Sequence, residues 1–432
     1  MRIAMISEHA SPIACLGGVD AGGQNVYVGQ LAKHLARRGW QVDIFTRRDD
    51  PEQPDEVEWC RGARVIHVPA GPPRPIRKED LLPCMGAFIE FFLERVEQCR
   101  YDVAHANFFM SGIAAAEAKR ALALPFVITF HALGKVRRLH QKEADAFPVA
   151  RMAIEERIVR DSDRIISECP QDEDDLVHLY GANRAKLRTI PCGFDPEEFG
   201  PMDRDEARRR IGVDGKEPVL LQLGRMVPRK GVDNVIRAVA CLRHRYGLAP
   251  RLLVVGGDSR QPDPNVTPEI GRLMAIAEEE GIADAVTFVG SRMRCELRAY
   301  YAAADAFITT PWYEPFGITP VEAMACGTPV VGAAVGGIQA TVQDGRSGFL
   351  VPPRDSETLA KRLAVLLGDP ALRAEMSRNA LHRARTHYTW AKVADQIARV
   401  YLETLPGSAI TPEFGTAAIA GKIHNAPMTV GS

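Results

Sequence analysis

Short β-branched runs alternate with helix-length segments, and the alternation runs through the chain twice. No other feature restricts the fold as much. In the first series the predicted strands are Ile3–Ser7, Val42–Thr46, Arg64–Val68, Val103–Ala106, Phe126–Thr129, Arg164–Ser167 and Leu187–Ile190. Helical stretches separate them, such as Gln24–Arg38, which Gly39 closes in the position after the C-cap. Parallel neighbours need a crossover and a helix supplies it, so strands alternating with helices predict βαβ units and a parallel sheet. The run Pro191-Cys192-Gly193-Phe194-Asp195 interrupts the pattern. A second series follows, with strands at Val219–Leu223, Arg251–Val255, Val286–Phe288, Ala306–Thr309 and Pro329–Gly332. Its helices are expected at Val232–Arg245, Pro268–Glu280 and Glu296–Ala304.

The 432 residues exceed what one core organises, so each series is read as a domain. The fold class expected is α/β: two Rossmann-like, doubly wound domains facing a central cleft. Their bounds are set at 1–195 and 196–388. A helix at 389–405 is expected to cross back onto the first domain. Residues 406–432 carry only Glu413 and Lys422 as charges and are expected to form a disordered tail. Ligands of such folds sit outside the carboxyl ends of the strands, so facing domains place both sets of strand ends on one cleft.

Composition excludes several functions. Lys plus Arg is 54 against 55 for Asp plus Glu, a net charge of −1, which argues against a nucleic-acid binder. No apolar run is long enough for a membrane helix, and Ile3–Ile6 is too short for a signal peptide. The nine cysteines, from Cys15 to Cys326, are never closer than 15 residues, which fits neither a zinc site nor a disulfide scaffold. The chain is read as cytoplasmic with reduced thiols. Small-molecule substrates are the expected partners, and the sequence leaves a homodimer open.

Four segments carry chemistry. In Glu314-Pro315-Phe316-Gly317-Ile318-Thr319-Pro320-Val321-Glu322, Thr319 is predicted as N-cap, Pro320 as the first helical residue and Glu322 as its capping-box partner. A helix start there offers amides to an anion, and Glu314 offers a carboxylate to sugar hydroxyls. The plainer reading of Glu322 is a cap alone. Gly224-Arg225-Met226-Val227-Pro228-Arg229-Lys230-Gly231 follows an apolar strand, so Arg225 and Lys230 stand where they could stabilise a leaving diphosphate without a metal. Its plainer reading is a solvated basic loop. Asp20-Ala21-Gly22-Gly23-Gln24-Asn25 opens the first long helix, and its glycines let backbone approach a ligand. Thr129-Phe130-His131 ends a strand and leads into the basic run Lys135–Lys142, either a solvated loop or a clamp for an anionic acceptor. Asp161-Ser162-Asp163 has the form of a metal-binding pair but sits where capping and turn formation explain it better. No Walker A loop, Gly-x-Ser-x-Gly or His-Glu-x-x-His occurs.

The Glu314/Glu322 segment, Gly224–Gly231, the Gly22-Gly23 loop and Ile190–Asp195 together resemble the family-4 retaining glycosyltransferases of GT-B fold. Val330-Val331-Gly332, Gly336-Gly337-Ile338 and Asp344–Val351 fit the same pattern. Asp20–Val28 is similar to the transferases that place N-acetylglucosamine on inositol phosphate in mycothiol synthesis. Gln24 is more like sucrose-phosphate synthases. Phe108 stands where the inositol-phosphate enzymes use a tyrosine to bind acceptor phosphate.

The resemblance implies roles. Arg225 and Lys230 would hold the donor diphosphate, and Glu322 the ribose. Glu314 with Phe316 and Gly317 would hold the transferred sugar, Ile318 and Thr319 completing the donor site with Gly22 and Gly23. His131 would contact the sugar near its 6-hydroxyl. Asn25, Lys78, Lys135 and Arg151 would serve the acceptor. The implied reaction transfers a hexosyl group from a nucleotide-diphosphate sugar, UDP-glucose foremost, to a sugar, sugar-phosphate or related hydroxyl. It would retain anomeric configuration and need neither metal nor cofactor. The alternatives are a non-catalytic nucleotide-sugar-binding regulator, or an N-acetylglucosaminyl or mannosyl transferase of the same fold.

Overall fold

The apolar runs become the strands of two sheets. The structure, a computed structural model, describes residues 1–13, 22–213, 215–405 and 407. Cys15, Asp20, Ala21 and, apart from Gly407, the segment 406–432 lie outside the described residues. The first sheet contains β1 (Arg2–Ile6), β2 (Gln41–Arg47), β3 (Glu56–Cys60), β4 (Ala63–Val68), β5 (Val103–Asn107), β6 (Phe126–Thr129), β7 (Arg164–Ser167) and β8 (Leu187–Thr189). Their order is β3-β4-β2-β1-β5-β6-β7-β8, parallel except for the edge strand β3. The second sheet holds β9 (Val219–Leu223), β10 (Arg251–Val255), β11 (Val286–Gly290), β12 (Ala306–Thr309), β13 (Val330–Ala333) and β14 (Gly348–Val351). Its order is β11-β10-β9-β12-β13-β14, parallel throughout. Helices cover both faces, which is why β1 beyond Arg2 and β9 apart from Gln222 are apolar, and β9 is buried along its length.

Two strands escaped the sequence reading. Edge strand β3 (Glu-Val-Glu-Trp-Cys) is half polar because one face meets water, and only its period-two alternation marks it. The other, β14, lies inside the motif Asp344–Val351. The helix predicted at Gln24–Arg38 spans Gly23–Ala36, and a tight turn through Arg37 and Arg38 carries the chain to Gly39.

The chain crosses between the domains twice, and the crossings touch. Phe194 N–H donates to the Tyr388 carbonyl at 2.8 Å, and Trp390 N–H to the Phe194 carbonyl at 3.0 Å. Gly193 leaves room for this: a Cβ there would stand 2.9 Å from both Trp390 N and the Tyr388 carbonyl oxygen. After the second crossing, helix Trp390–Thr404 packs on helix Gly23–Ala36 of the first domain. Trp390 and Tyr401 are fully buried, and the Tyr401 hydroxyl meets His105 Nδ1 at 2.6 Å.

Candidate active site

Each sheet has a point where strand order reverses, and there the loops part to leave a crevice. In the first sheet the point lies between β1 and β5, in the second between β9 and β12. The loops leaving these four strands, together with neighbouring loops, line a single cleft of about 380 Å³. Helix Gly23–Ala36 starts in the first-domain wall, and a Cβ on its N-cap Gly22 would lie 3.8 Å from Arg225 Cδ. A Cβ on Gly23 would lie 3.6 Å from Ile318 Cδ1, so the walls approach one another at this corner.

The second-domain wall is charged and internally paired. Arg225, Lys230, Glu314, Phe316, Gly317, Ile318, Thr319 and Glu322 all line the cleft. Lys230, from the turn after β9, forms an ion pair with Glu314, from the loop after β12, and both side chains are largely buried. Burial draws the Lys230 ammonium below its ordinary pKa, with Glu314 pulling the other way. Burial would raise Glu314, but Lys230, Arg229 and Arg225 outweigh it and hold the carboxyl below its usual range. The loop carrying Glu314 is seated on Gly336 and Gly337. A Cβ on Gly336 would fall 1.7 Å from the Glu314 carbonyl oxygen, and one on Gly337 2.2 Å from that of Phe316.

The capping prediction needs correction. The helix spans Ile318–Ala325 with Gly317 as N-cap, so Thr319 is its second residue and Pro320 its third. Proline is tolerated there because first-turn amides have no intrahelical partner. Glu322 lies beyond the first turn and caps nothing. Its Oε1 accepts from Arg294 Nη1 at 2.7 Å and its Oε2 from the Tyr301 hydroxyl at 2.9 Å. Burial pushes its pKa up, against the lowering effect of Arg294.

The first-domain wall is aromatic and conformationally strained. His131 and Phe108 both line the cleft, with φ of +58° and +85°. Such backbone costs about 1–3 kcal/mol per residue and persists where surrounding contacts hold it. His131 Nδ1 meets Glu168 Oε1 and its Nε2 meets Asn107 Oδ1, each at 3.1 Å. His9, Phe108 and Phe147 form adjoining edge-on or tilted rings. Asn25 and Lys78 line this wall. Asn25 also braces the loop: Gly22 N–H donates to its Oδ1 at 2.9 Å, and its Nδ2 donates to the Ser11 carbonyl at 2.9 Å.

Two expected acceptor residues stand away from the cleft lining. The Lys135 ammonium donates to Glu156 at 2.6 Å and to the Leu179 carbonyl at 2.5 Å, over the Tyr180 ring. Arg151 is 1% exposed, bound to Glu155 at 2.7 Å and packed against Phe108, Phe109 and Phe147. A helical run at that spacing looks solvated in sequence, and only the fold reveals the aromatic cage. The acidic pair Asp161/Asp163 is structural: Asp163 accepts from Phe126 N–H at 2.9 Å and from Lys119 at 2.6 Å. Among the described residues no cluster of three or more His, Cys, Asp or Glu side chains could hold a metal ion.

The cleft also takes residues that the sequence reading passed over. Gly256, Gly257 and Asp258 follow β10, and Arg292 and Arg294 follow β11. Their position directly after apolar strands was the available signal. Arg137 and Tyr313 join them from opposite walls.

Comparison with known proteins agrees with this architecture. The profile of glycosyl transferases group 1 matches residues 203–383, and that of glycosyltransferase family 4 matches residues 21–198. D-inositol 3-phosphate glycosyltransferase of Stackebrandtia nassauensis is 40% identical over 420 residues, covering 95% of this chain and 93% of its own. D-inositol 3-phosphate glycosyltransferase 1 of Catenulispora acidiphila is 40% identical over 412 residues, covering 94% and 96%. The structure of sucrose-phosphate synthase from Thermosynechococcus elongatus superposes with a TM-score of 0.85 at 35% identity, covering 93% of this chain and 98% of that one. The two domains are thus those of a GT-B enzyme, and the chain belongs to the family 4, group 1 glycosyltransferases.

Proposed function

We propose that the protein transfers a hexosyl group from UDP-glucose to a hydroxyl of a sugar, a sugar phosphate or a related acceptor, retaining anomeric configuration and using no metal. The observation that carries this reading is the grouping of Arg225, Lys230, Glu314 and Glu322 at the switch point of the second sheet. Two cations for a diphosphate and two carboxylates for hydroxyls are what a nucleotide sugar requires.

Lys230 and Glu314 satisfy each other. An arriving donor separates them: its diphosphate takes Lys230 and Arg225, and its sugar hydroxyls take Glu314. The acceptor hydroxyl then attacks the anomeric carbon on the face the nucleotide leaves. The bond from that carbon to the β-phosphate oxygen breaks, and the acceptor proton passes to the departing phosphate. Lys230 and Arg225 stabilise the charge growing on that phosphate, and His131 contacts the sugar from the opposite wall. Closure of the domains over the bound donor would exclude water. The connection 192–200, braced by Gly193 against Trp390, is the proposed hinge. A cytoplasmic setting is part of the reading, and the eight cysteines among the described residues are unpaired.

Similarity to sucrose-phosphate synthase favours glucose as the transferred sugar. So does Gln24, at which the loop resembles sucrose-phosphate synthases; its Nε2 donates to Ser7 Oγ and to the Asn107 carbonyl at 3.1 Å each and ties the loop to both strands of the switch point. A second reading is transfer of N-acetylglucosamine to inositol phosphate: the names of the 40%-identical relatives and Lys78 and Asn25 on the acceptor wall favour the inositol phosphate, and the resemblance of Asp20–Val28 favours the sugar. Phe108 weighs against it, because it offers a phosphate no hydroxyl.

A donor panel decides between them. Purified protein is given UDP-, ADP- and GDP-sugars, with and without fructose 6-phosphate and inositol phosphate, and nucleotide release is followed in chelator. Acceptor-dependent release from UDP-glucose is expected. Turnover of UDP-N-acetylglucosamine with inositol phosphate would replace the first reading by the second. Full loss on chelation would refute the metal-free mechanism.

A further inference from the structure

Glu322 is 2% exposed, so its ionised form depends on what surrounds it. The groups facing it are Arg294 and Tyr301 from helix Arg294–Ala303, Cys326 beyond the end of its own helix, and Glu198 from the interdomain connection. Arg294 is the cation among them. It holds Glu322 with Nη1 at 2.7 Å and donates from Nε to Glu198 Oε2 at 2.5 Å, with its guanidinium carbon 4.7 Å from the centroid of the Phe199 ring. The other oxygen of Glu198 accepts from Gln30 Nε2 at 2.9 Å, on the helix that begins at Gly23. The remaining Arg294 nitrogen, Nη2, is buried without a hydrogen-bond partner, and the residue lines the cleft.

We propose that Arg294 is the positioning residue that aims the Glu322 carboxylate at the nucleotide's ribose hydroxyls, and that Glu198 and Gln30 link this support to the first domain. The inference rests on the nucleotide-sugar reading above. Each Glu322 oxygen spends one lone pair on a protein donor and keeps another for a ribose hydroxyl. A carboxylate held this way accepts from a ribose diol, whereas the protonated acid that burial favours would accept more weakly. Because Glu198 sits between Arg294 and Gln30, filling the nucleotide site reinforces the placement of the helix whose first turn carries Gly23 and Asn25.

The test is calorimetric titration of the full-length protein with UDP, ADP and GDP at about pH 8 and about pH 5.5, above and close to the carboxyl range. Wild type is compared with Arg294→Met, Arg294→Lys and Glu198→Gln, and steady-state KM and kcat for the donor are measured alongside. Arg294→Met removes a charge-assisted contact, so nucleotide affinity should fall about tenfold, and further at the lower pH. The loss should appear in donor KM with kcat little changed. Arg294→Lys, which keeps the charge and is expected to fold, should restore part of the affinity. Glu198→Gln should give a smaller loss of the same kind, about two- to fivefold. Wild-type affinity in Arg294→Lys and Glu198→Gln at both pH values, or an Arg294→Met loss identical at both, would overturn the proposal. Wild-type protein that binds none of the three nucleotides would instead refute the donor reading and the inference with it.

Discussion

The two walls of the cleft are built on opposite plans. The second-domain wall is made of charges that neutralise one another, Lys230 with Glu314 and Arg294 with Glu322. The first-domain wall is made of rings, His9, Phe108 and Phe147, with strained backbone at Phe108 and His131. A paired wall is set for a ligand whose charges replace the partners. An aromatic wall selects by shape and by the few polar groups at its rim. On the proposed reading, donor recognition falls to the second domain and acceptor choice to the first.

The sharpest way to break this division is at Glu314. Glu314→Ala should lower kcat/KM by at least about a hundredfold, because it removes the sugar contact; it should also destabilise the fold by about 3–5 kcal/mol, because Lys230 is left buried without its partner. Glu314→Gln, which keeps the volume, should fold better while activity stays low. If Glu314→Gln turned over donor like wild type, the second-domain wall would not be the donor wall.

The core of the first domain should show itself in acid. His105, fully buried between Thr129 and Tyr401, is pushed down to about 3, chiefly by burial and secondarily by His131. A histidine whose folded pKa is depressed adds stability above its unfolded pKa and loses it as pH falls toward the folded one. Between about pH 6.5 and pH 3 the unfolded chain binds a proton that the folded chain refuses, which removes about 1.4 kcal/mol per pH unit. Denaturant midpoints measured across that window should fall more steeply for wild type than for His105→Gln. Parallel curves would contradict the assignment.

Phe108→Tyr sharpens the comparison from the acceptor side. A hydroxyl there offers a phosphorylated acceptor one further hydrogen bond, about 1 kcal/mol, so acceptor KM should improve about fivefold while donor KM holds. A change confined to donor KM would place Phe108 on the wrong wall. The smallest effect is expected at Lys135, whose ammonium is held by Glu156 and Leu179 away from the cleft. Lys135→Ala should leave both KM values within about twofold and cost at most about 1 kcal/mol of stability. An acceptor KM raised tenfold would restore Lys135 to the site.

The contrast also separates what could be read from the chain from what could not. All but β3 and β14 were legible because buried parallel strands are rich in apolar and β-branched residues. The second-domain wall was legible because Arg225, Lys230 and Glu314 lie within a few residues of strands β9 and β12. Glu322 was noticed for a capping role that it does not have, since Gly317 starts the helix earlier than Thr319 would. The first-domain wall depends on residues brought from distant segments. Arg151 belongs to a helix that looks solvated until Phe108, Phe109 and Phe147 close around it. Arg294 and Glu198 are separated by 96 positions and meet only because the interdomain connection runs past helix Arg294–Ala303.

The most direct test of the central claim is nucleotide release by wild type and by Lys230→Ala, with thermal melting used to establish that the variant is folded. Wild type should release UDP from UDP-glucose in an acceptor-dependent manner. Lys230→Ala should be at least about tenfold slower in kcat/KM, since the departing diphosphate loses a charge-assisted contact. Equal rates in two folded proteins would contradict the assignment of this wall to the leaving diphosphate.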